Sequence, residues 1–189
     1  MSNRYSDFTK IVFISIVLFL FLDSTIGKYI YKKYIRVQLQ DININFSKLD
    51  EFYDHKYPKN FDALGGWGNL RYKLCTDNNG FRTACKKKDK NLKSFDLAFI
   101  GDSFTDGLGY EYEKTFVGII DNELKQKKIA NLAMSSYSTS IYYTKLNKLI
   151  KDGFKFDEVI VFVDLSDLPD DILGYEVVKD KVKRKSTFN

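Results

Sequence analysis

The chain has 189 residues, of which 44% are hydrophobic and 29% charged, a composition that excludes a wholly disordered protein. Its net charge of +5 comes from lysines spread along the sequence, so we expect a solvated surface rather than a nucleic-acid-binding patch. A single histidine, His55, limits every mechanism that needs an imidazole. It lies in the segment YDHKYP, where we expect a loop histidine, exposed or hydrogen-bonded, rather than a base or a ligand.

Residues 1–36 are predicted to form a membrane anchor. Residues 11–22 read IVFISIVLFLFL, an apolar run shorter than the roughly 20 residues of a spanning helix, but an apolar stripe continues to Tyr31. The segment GKYIYKKY that follows is typical of a Tyr/Lys anchor at a membrane interface, and no A-x-A-like cleavage site is present. We expect one uncleaved spanning helix, with a cleaved signal peptide and a buried core helix as the alternatives.

Two patterns disagree about the side of the membrane on which the rest of the chain lies. Basic residues after the apolar run outnumber Arg4 and Lys10 before it, which favours a cytoplasmic location. Cys75 and Cys85 bracket CTDNNGFRTAC, whose turn residues 77–80 would bring the two thiols together. A disulfide persists only in an oxidising compartment, so we expect an extracytoplasmic, periplasmic domain; two reduced thiols are the alternative.

The remaining chain divides by its pattern into three parts. Residues 37–94 alternate short apolar stretches with turn residues and are predicted to form an irregular lead-in that contains the possible disulfide. Residues 95–178 are predicted to form a partial α/β domain, and residues 179–189 a solvated basic tail. Strands and helices are predicted to alternate at residues 96–100, 113–128, 129–132, 140–151 and 158–163. This alternation with short connections is typical of a parallel α/β unit.

Polar segments follow each of the three predicted strands. They read GDSFTDG at residues 101–107, AMSSYS at 133–138 and DLSD at 164–167. In open parallel sheets, ligands gather outside the carboxyl ends of the strands. The three segments are therefore expected to meet at one edge of the sheet.

The first of these segments resembles a known motif. In its context, IGDSFTDGLG is similar to block I of the SGNH (GDSL-type) hydrolase family, and the resemblance extends over about residues 96–171. It implies a flavodoxin-like three-layer α/β sandwich in which Ser103 is the nucleophile and its N–H is one oxyanion donor. A serine at a tight strand-to-helix turn is exposed, and a helix amino terminus favours developing negative charge. The alternative is that Asp102 and Ser103 only cap a helix.

The second and third segments resemble blocks II and III with substitutions. In NLAMSSYS, Ser136 stands where the family usually has a glycine that donates its backbone N–H, and a backbone donor survives this change. In VDLSD, Ser166 stands where the family has an asparagine, and its hydroxyl could complete the oxyanion hole. Asp164 or Asp167 could equally be the important polar group. Some membrane-anchored envelope members of the superfamily look similar in these blocks.

The family's last block is missing from this sequence. Block V, Asp-x-x-His, supplies the general base, but no histidine follows Ser103. Without a base, serine is a poor nucleophile near neutral pH. His55 precedes the α/β unit and has no aspartate three residues before it, so we do not expect it to replace that base. The chain is therefore expected to be the front portion of a longer hydrolase, incomplete in its last strands, or a non-catalytic binding or scaffold module.

The resemblance implies a membrane-tethered ester hydrolase or O-acyl transfer enzyme that acts on an acylated envelope glycan or lipid. We expect the 189-residue chain alone to turn over little or no ester. No cofactor is predicted, since the sequence shows no metal-ligand set and Gly101, Gly107 and Gly109 lack the dinucleotide-binding spacing. The predicted partners are a membrane and an ester-bearing substrate, with no nucleic acid at the basic segment 181–185. The sequence predicts no oligomeric state.

Overall fold

A computed structural model describes residues 2–31, 46–67, 70–87 and 92–185 of the chain. By its contacts the chain divides into two compact units, Met1–Asn43 and Ile44–Asn189, and each is described by itself. The part of the predicted anchor at residues 32–36 lies outside the described residues.

The amino-terminal unit contains one long helix, and the prediction of a helix able to span a membrane is confirmed. Its α1 (Ser2–Leu22) continues through a π-helical turn at Asp23–Gly27 into a last α-helical turn at Lys28–Ile30. The 24 residues Asp7–Ile30 are apolar enough to cross a membrane. At 1.5 Å per residue they reach about 36 Å, which exceeds the hydrocarbon thickness of about 30 Å.

Polar residues after Leu22 do not end this helix. The hydroxyl of Thr25 donates to the carbonyl of Phe21 at 2.7 Å, and that of Ser24 donates to the same carbonyl at 3.0 Å. These bonds satisfy the hydroxyl groups within the helix itself, as an apolar environment requires. The apolar helix is therefore longer than the uninterrupted apolar run in the sequence.

The second unit is an α/β structure with a six-stranded mixed sheet. Its strands are β1 (Lys48–Asp50), β2 (Asp54–Lys56), β3 (Asp62–Trp67), β4 (Leu70–Thr76), β5 (Arg82–Thr83), β6 (Ser94–Ile100), β7 (Ile129–Asn131), β8 (Lys155–Val161), β9 (Tyr175–Val178) and β10 (Lys181–Arg184). Its helices are α2 (Ser103–Asp106), α3 (Phe116–Glu123) and α4 (Thr139–Lys151), with short helical turns at Cys85–Lys87, Tyr112–Lys114, Asp167–Pro169 and Asp170–Gly174. The six-stranded sheet has the order β3-β4-β5-β7-β6-β8, and β1-β2 and β9-β10 form two separate hairpins.

The three strands predicted to be parallel form one half of the sheet. β6 lies between β7 and β8 and pairs with both in parallel, so the strand order is second, first, third along the chain. Ala98 and Ile100 of β6 pack in the cluster that contains Ile141 of α4. Phe99 packs in a different cluster, with Val117 of α3. Because alternate residues of a strand face opposite sides, α3 and α4 cover opposite faces of this half.

The other half of the sheet corrects the prediction of a wholly parallel sheet. The lead-in supplies β3, β4 and β5, which pair in antiparallel fashion, and Arg82 of β5 pairs with Asn131 of β7. Cys75 on β4 and Cys85 after β5 form the predicted disulfide, with their Cα atoms 5.1 Å apart. The lead-in is thus part of the domain and not a separate segment before it.

The outer edge of β8 is open among the described residues, and its surface is apolar. The run EVIVFV predicts a strand buried on both faces, yet Val159 and Ile160 are each 38% exposed and Val163 is 62% exposed. In the described part of the chain, β8 pairs only with β6. A strand of this composition at an open edge offers both apolar side chains and unpaired backbone groups to a further strand.

Residues 181–184 form β10, so the prediction of a solvated tail over 179–189 is wrong for this part. Lys179 and Asp180 both have positive φ, 48° and 60°, which is the conformation of a two-residue type I′ hairpin turn. The turn returns the chain so that Val182, 1% exposed, packs in the core and pairs with Tyr53. The sequence obscured the hairpin because Lys-Asp is not a usual type I′ pair. Residues 186–189 lie outside the described residues.

Candidate functional site

The three polar segments follow strand ends that lie side by side. The N–H of Met134 donates to the carbonyl of Gly101 at 3.4 Å, and the N–H of Phe162 donates to that of Ile100 at 2.9 Å. These bonds extend the parallel pairing to the carboxyl ends of β6, β7 and β8. Segments 101–107, 133–138 and 164–167 therefore begin at one edge of the sheet, as their order in the sequence predicts.

Ser103 lies at the turn between β6 and α2. Asp102 caps α2, because its carboxylate accepts the N–H of Phe104 at 2.9 Å. The Ser103 hydroxyl is half-buried and donates to the same carboxylate at 3.2 Å. The helix has only four residues, so the expected contribution of a helix dipole to an anion at Ser103 is not available. This turn is compatible both with a purely capping role for Asp102 and with Ser103 as a nucleophile.

Two glycines allow the turn that carries Ser103. A Cβ at position 101 would lie 2.2 Å from the hydroxyl oxygen of Thr105, and one at position 107 would lie 2.1 Å from the Cγ2 atom of Thr115. Gly107 also has a φ of 79°, in the left-handed region that ends α2. Side chains at these two positions would displace the segment that holds Ser103.

A buried ion pair fixes the far end of the same segment. Arg82 of β5 lies 3.3 Å from the carboxylate of Asp106, and both side chains are fully buried. Arg82 also donates to the carbonyl groups of Asp106 and Tyr110, and Tyr57 donates its hydroxyl to Asp106 at 2.8 Å. The antiparallel half of the sheet thus holds the segment after Ser103, a role that the sequence alone did not indicate for Arg82.

Ser136 has a backbone conformation typical of glycine. Its φ is 65°, in the left-handed region that non-glycine residues seldom adopt. This explains physically why a glycine would suit the position. Neither the N–H of Ser136 nor that of Ser103 has an acceptor within the described ranges. Two backbone donors without partners therefore belong to the first and second segments.

The third segment is held together by its own carboxylates. Ser166 donates both its N–H and its hydroxyl to Asp164. Asp167, 1% exposed, accepts the N–H of Asp164 at 3.1 Å and the hydroxyl of Tyr142 at 2.9 Å. The Ser166 hydroxyl is thus engaged within its own loop and would have to exchange partners to act as an oxyanion donor.

Three carboxylates converge beside Ser103. One oxygen from each of Asp102, Asp164 and Asp167 lies within 4.8 Å of the others. Hydrogen bonds from Ser166 lower the pKa of Asp164, whereas burial raises the pKa of Asp167. Such oxygen ligands would suit a hard cation such as Mg²⁺ or Ca²⁺. Without one, their negative charge opposes the formation of an oxyanion nearby.

The sequence predicts that His55 is a loop residue, either exposed or hydrogen-bonded. The structure shows it hydrogen-bonded, but buried and on a strand. It lies on β2 and is 6% exposed. Its Nδ1 lies 2.7 Å from the carboxylate of Asp54, and its Nε2 lies 2.8 Å from the carbonyl oxygen of Ser135. Both ring nitrogens are engaged, so neither is hydrogen-bonded to Ser103. Asp54 is adjacent to His55 in the sequence, whereas the contact with Ser135 depends on the fold.

Lys145 of α4 lies behind the second segment and is 4% exposed. It donates to the carbonyl of Leu132 at 2.7 Å and to the hydroxyl of Tyr137 at 3.1 Å. Burial lowers its pKa to about 7. The lysine thus contacts Leu132 just before the segment that carries Ser136 and Tyr137 within it. Its spacing of four residues from Ile141 and from Leu149 places it on the buried face of α4, a signal that could have identified it.

Comparison of the chain with protein-family models, with curated proteins and with solved structures finds no match. The resemblance to the SGNH family therefore rests on the residues of the three segments.

Proposed function

We propose that this protein is a membrane-tethered SGNH-type serine ester hydrolase or O-acyl transferase in which Ser103 is the nucleophile. The observation that carries the proposal is the convergence of three polar segments at the carboxyl ends of β6, β7 and β8. Parallel α/β sheets bind their ligands at that edge. The order of these strands, second, first, third, is also that of flavodoxin-like sheets.

The chemistry divides between a hydroxyl and two backbone donors. The Ser103 oxygen would attack the carbonyl carbon of an ester, which forms a tetrahedral oxyanion. The N–H groups of Ser103 and Ser136, without acceptors in the described part of the chain, would then donate to that oxyanion. Collapse of the intermediate releases the alcohol and leaves an acyl group on Ser103, which water or an acceptor hydroxyl then removes.

The proposal requires a base that takes the Ser103 proton and returns it to the leaving alcohol. Ser103 donates to Asp102, and the one histidine of the sequence is engaged by Asp54 and Ser135. We assign the base to a polypeptide segment outside these 189 residues. The open edge of β8, with its apolar faces, is where such a segment would add a strand to the sheet.

The disulfide and the apolar helix support an extracytoplasmic, periplasmic location for the α/β unit, with a single spanning helix as the tether. The substrate class, an O-acylated envelope glycan or lipid, follows from the resemblance alone. A tethered enzyme meets such substrates at the membrane surface.

A non-catalytic, membrane-anchored binding or scaffold module is the second candidate. It is favoured by the three carboxylates beside Ser103, since negative charge at that place disfavours an oxyanion. It is also favoured by the absence of any second histidine from the sequence.

An assay with imidazole as an external base separates the two candidates. The full chain in detergent should hydrolyse an activated short-chain ester slowly, and added imidazole should accelerate the reaction well beyond imidazole's own rate. Ser103→Ala should abolish the acceleration, whereas Ser94→Ala, at the exposed amino end of β6 and therefore at the opposite edge of the sheet, should retain it. Equal rates for the parent chain and Ser103→Ala with imidazole would favour the scaffold. Fast Ser103-dependent hydrolysis without imidazole would contradict the assignment of the base.

A further inference from the structure

We propose that His55 is a positioning residue that orients the Ser136 N–H as an oxyanion donor by holding the carbonyl of Ser135. The inference rests on the proposed function, and it assigns to the only histidine a role other than that of the general base. Its basis is the 2.8 Å contact between His55 Nε2 and the Ser135 oxygen.

The geometry of one peptide group links the two residues. The carbonyl of Ser135 and the N–H of Ser136 belong to the same trans peptide unit, in which they point in opposite directions. A donor that fixes the carbonyl on one side therefore fixes the N–H on the other side. Because His55 lies on the carbonyl side, the Ser136 N–H points away from His55.

The next peptide group is held as well. The hydroxyl of Tyr175 donates to the carbonyl of Ser136 at 2.8 Å. The carbonyl groups of Ser135 and Ser136 lie on either side of the Ser136 φ and ψ angles. Each of them thus has a hydrogen-bond partner from another part of the chain. Its left-handed φ of 65° is costly for a serine, so these two bonds maintain a conformation that the residue would not adopt alone.

The surroundings of the imidazole favour two donated hydrogen bonds. A carboxylate and a carbonyl can only accept, so Nδ1 donates to Asp54 and Nε2 donates to Ser135. The hydrogen bond that the Ser135 carbonyl accepts polarises its peptide group, so that the Ser136 N–H becomes a stronger donor.

Charged and titratable neighbours hold the ring from several elements. Asp54, 8% exposed, also accepts from Arg184 of β10 at 3.2 Å. Tyr137 packs edge-on against the imidazole with centroids 4.9 Å apart, and its hydroxyl donates to the His55 carbonyl at 2.7 Å. Lys145 donates in turn to that tyrosine hydroxyl. The imidazole therefore has one orientation, fixed by residues of β10, α4 and the second segment itself.

Two substitutions of His55 test separately the two hydrogen bonds that its ring makes with Asp54 and Ser135. His55→Gln places an amide N–H near the position of Nε2 and can still donate to Ser135. His55→Asn places one near the position of Nδ1 and can keep only the contact with Asp54. The two variants are of similar polarity and both lack a ring, so a difference between them reports the bond to Ser135.

Selective labelling isolates the peptide group in question. Ser135–Ser136 is the only Ser-Ser pair in the sequence, so a chain labelled with ¹³C-carbonyl serine and ¹⁵N serine gives one HNCO cross-peak. In the full chain in detergent micelles, we expect His55→Gln to leave this peak near its parent position and His55→Asn to move it. Identical peaks in all three proteins, or equal displacement by both variants, would overturn the proposal.

A measurement on the parent chain does not depend on how the variants fold. With ¹⁵N-labelled histidine and ¹³C-carbonyl serine, a coupling across the hydrogen bond should join His55 Nε2 to the Ser135 carbonyl carbon, and Nε2 should carry a proton. An unprotonated Nε2 without the coupling would overturn the inference even if Ser103-dependent hydrolysis is found. A coupling without Ser103-dependent hydrolysis would instead overturn the proposed function and leave the geometric role of His55 standing.

Discussion

Ser136 has an unusual backbone conformation at the centre of the candidate site. Its φ of 65° is unfavourable for any residue with a Cβ, yet the segment positions its N–H as a donor without an acceptor in the described part of the chain. Two neighbouring groups, His55 and Tyr175, hold the carbonyl groups on either side. Strain of this kind persists where the surroundings over-determine the conformation, and it is common at functional sites.

Ser136→Gly should increase the free energy of unfolding by roughly 0.5–1 kcal/mol. Relief of the left-handed strain outweighs the larger entropy that glycine gives to the unfolded chain. Urea unfolding of the full chain in mild detergent measures the change. Ser135→Gly is the matched control and should lower stability, since Ser135 has no positive φ to relieve. A loss of stability in both variants would contradict the strain at Ser136.

Lys145 should make stability depend on pH above neutrality. Its pKa in the folded protein is about 7, below the value of 10.5 for a free lysine, because burial disfavours the charged form. Below pH 7 the buried lysine carries its charge, and the free-energy cost of burying that charge is fully present. This cost decreases as the pH rises from the pKa of the folded state toward the pKa of the unfolded state. The unfolded chain binds more protons in this interval, so stability rises with pH.

Lys145→Met should therefore reduce this rise. Between pH 7 and 9 the parent chain should gain about 2 kcal/mol relative to the variant in urea unfolding. Lys148→Met, one turn further along the same helix and with a partly exposed side chain, should follow the parent chain at every pH. Parallel curves for the parent chain and Lys145→Met would show that Lys145 is not desolvated.

The disulfide connects β4 to the helical turn after β5 and so stabilises the antiparallel half of the sheet. Cys75 and Cys85 close a loop with a sequence separation of 10 residues. The loop-entropy model assigns such a bond about 3 kcal/mol. The double variant Cys75→Ala/Cys85→Ala should lose about that amount, and reductant should lower the parent chain to the same stability. A reductant effect on the double variant, or none on the parent chain, would contradict this expectation.

The local pattern of the sequence predicted the parallel half of the sheet but not its antiparallel half. Apolar runs with short spacings place β6, β7 and β8, and polar segments at their ends place the candidate site. β5 pairs with β7 at Arg82, whose buried side chain has its charged partner, Asp106, 24 residues later, and no local period reveals such a pair. The β9–β10 hairpin has a Lys-Asp turn, so its lysines resemble a solvated tail.

At the candidate site, the location of His55 could likewise not be predicted from the sequence. Residue type and spacing exclude it from an Asp-x-x-His motif, and they contain no information about which loop it meets. Its contact with Ser135 joins residues separated by 80 positions, through β2 on one side and the end of β7 on the other. Only the fold brings the ring to the segment that carries Ser136.

The whole molecule combines a helix apolar enough to cross a membrane with an α/β unit that carries the candidate site. Under the proposed function, a segment that supplies the base for Ser103 would add a strand at the open, apolar edge of β8. The proposed function includes the claim that Ser103, among all serines of the chain, is the one activated for attack.

Labelling with a fluorophosphonate in the presence of imidazole, followed by peptide mass spectrometry, identifies the activated serine. The reagent phosphonylates an activated serine and imitates the tetrahedral intermediate, so the adduct marks the nucleophile. We predict one adduct on Ser103, which is lost in Ser103→Ala and retained in Ser94→Ala. An adduct on other serines at equal yield, or no adduct on Ser103 at any imidazole concentration, would contradict the claim.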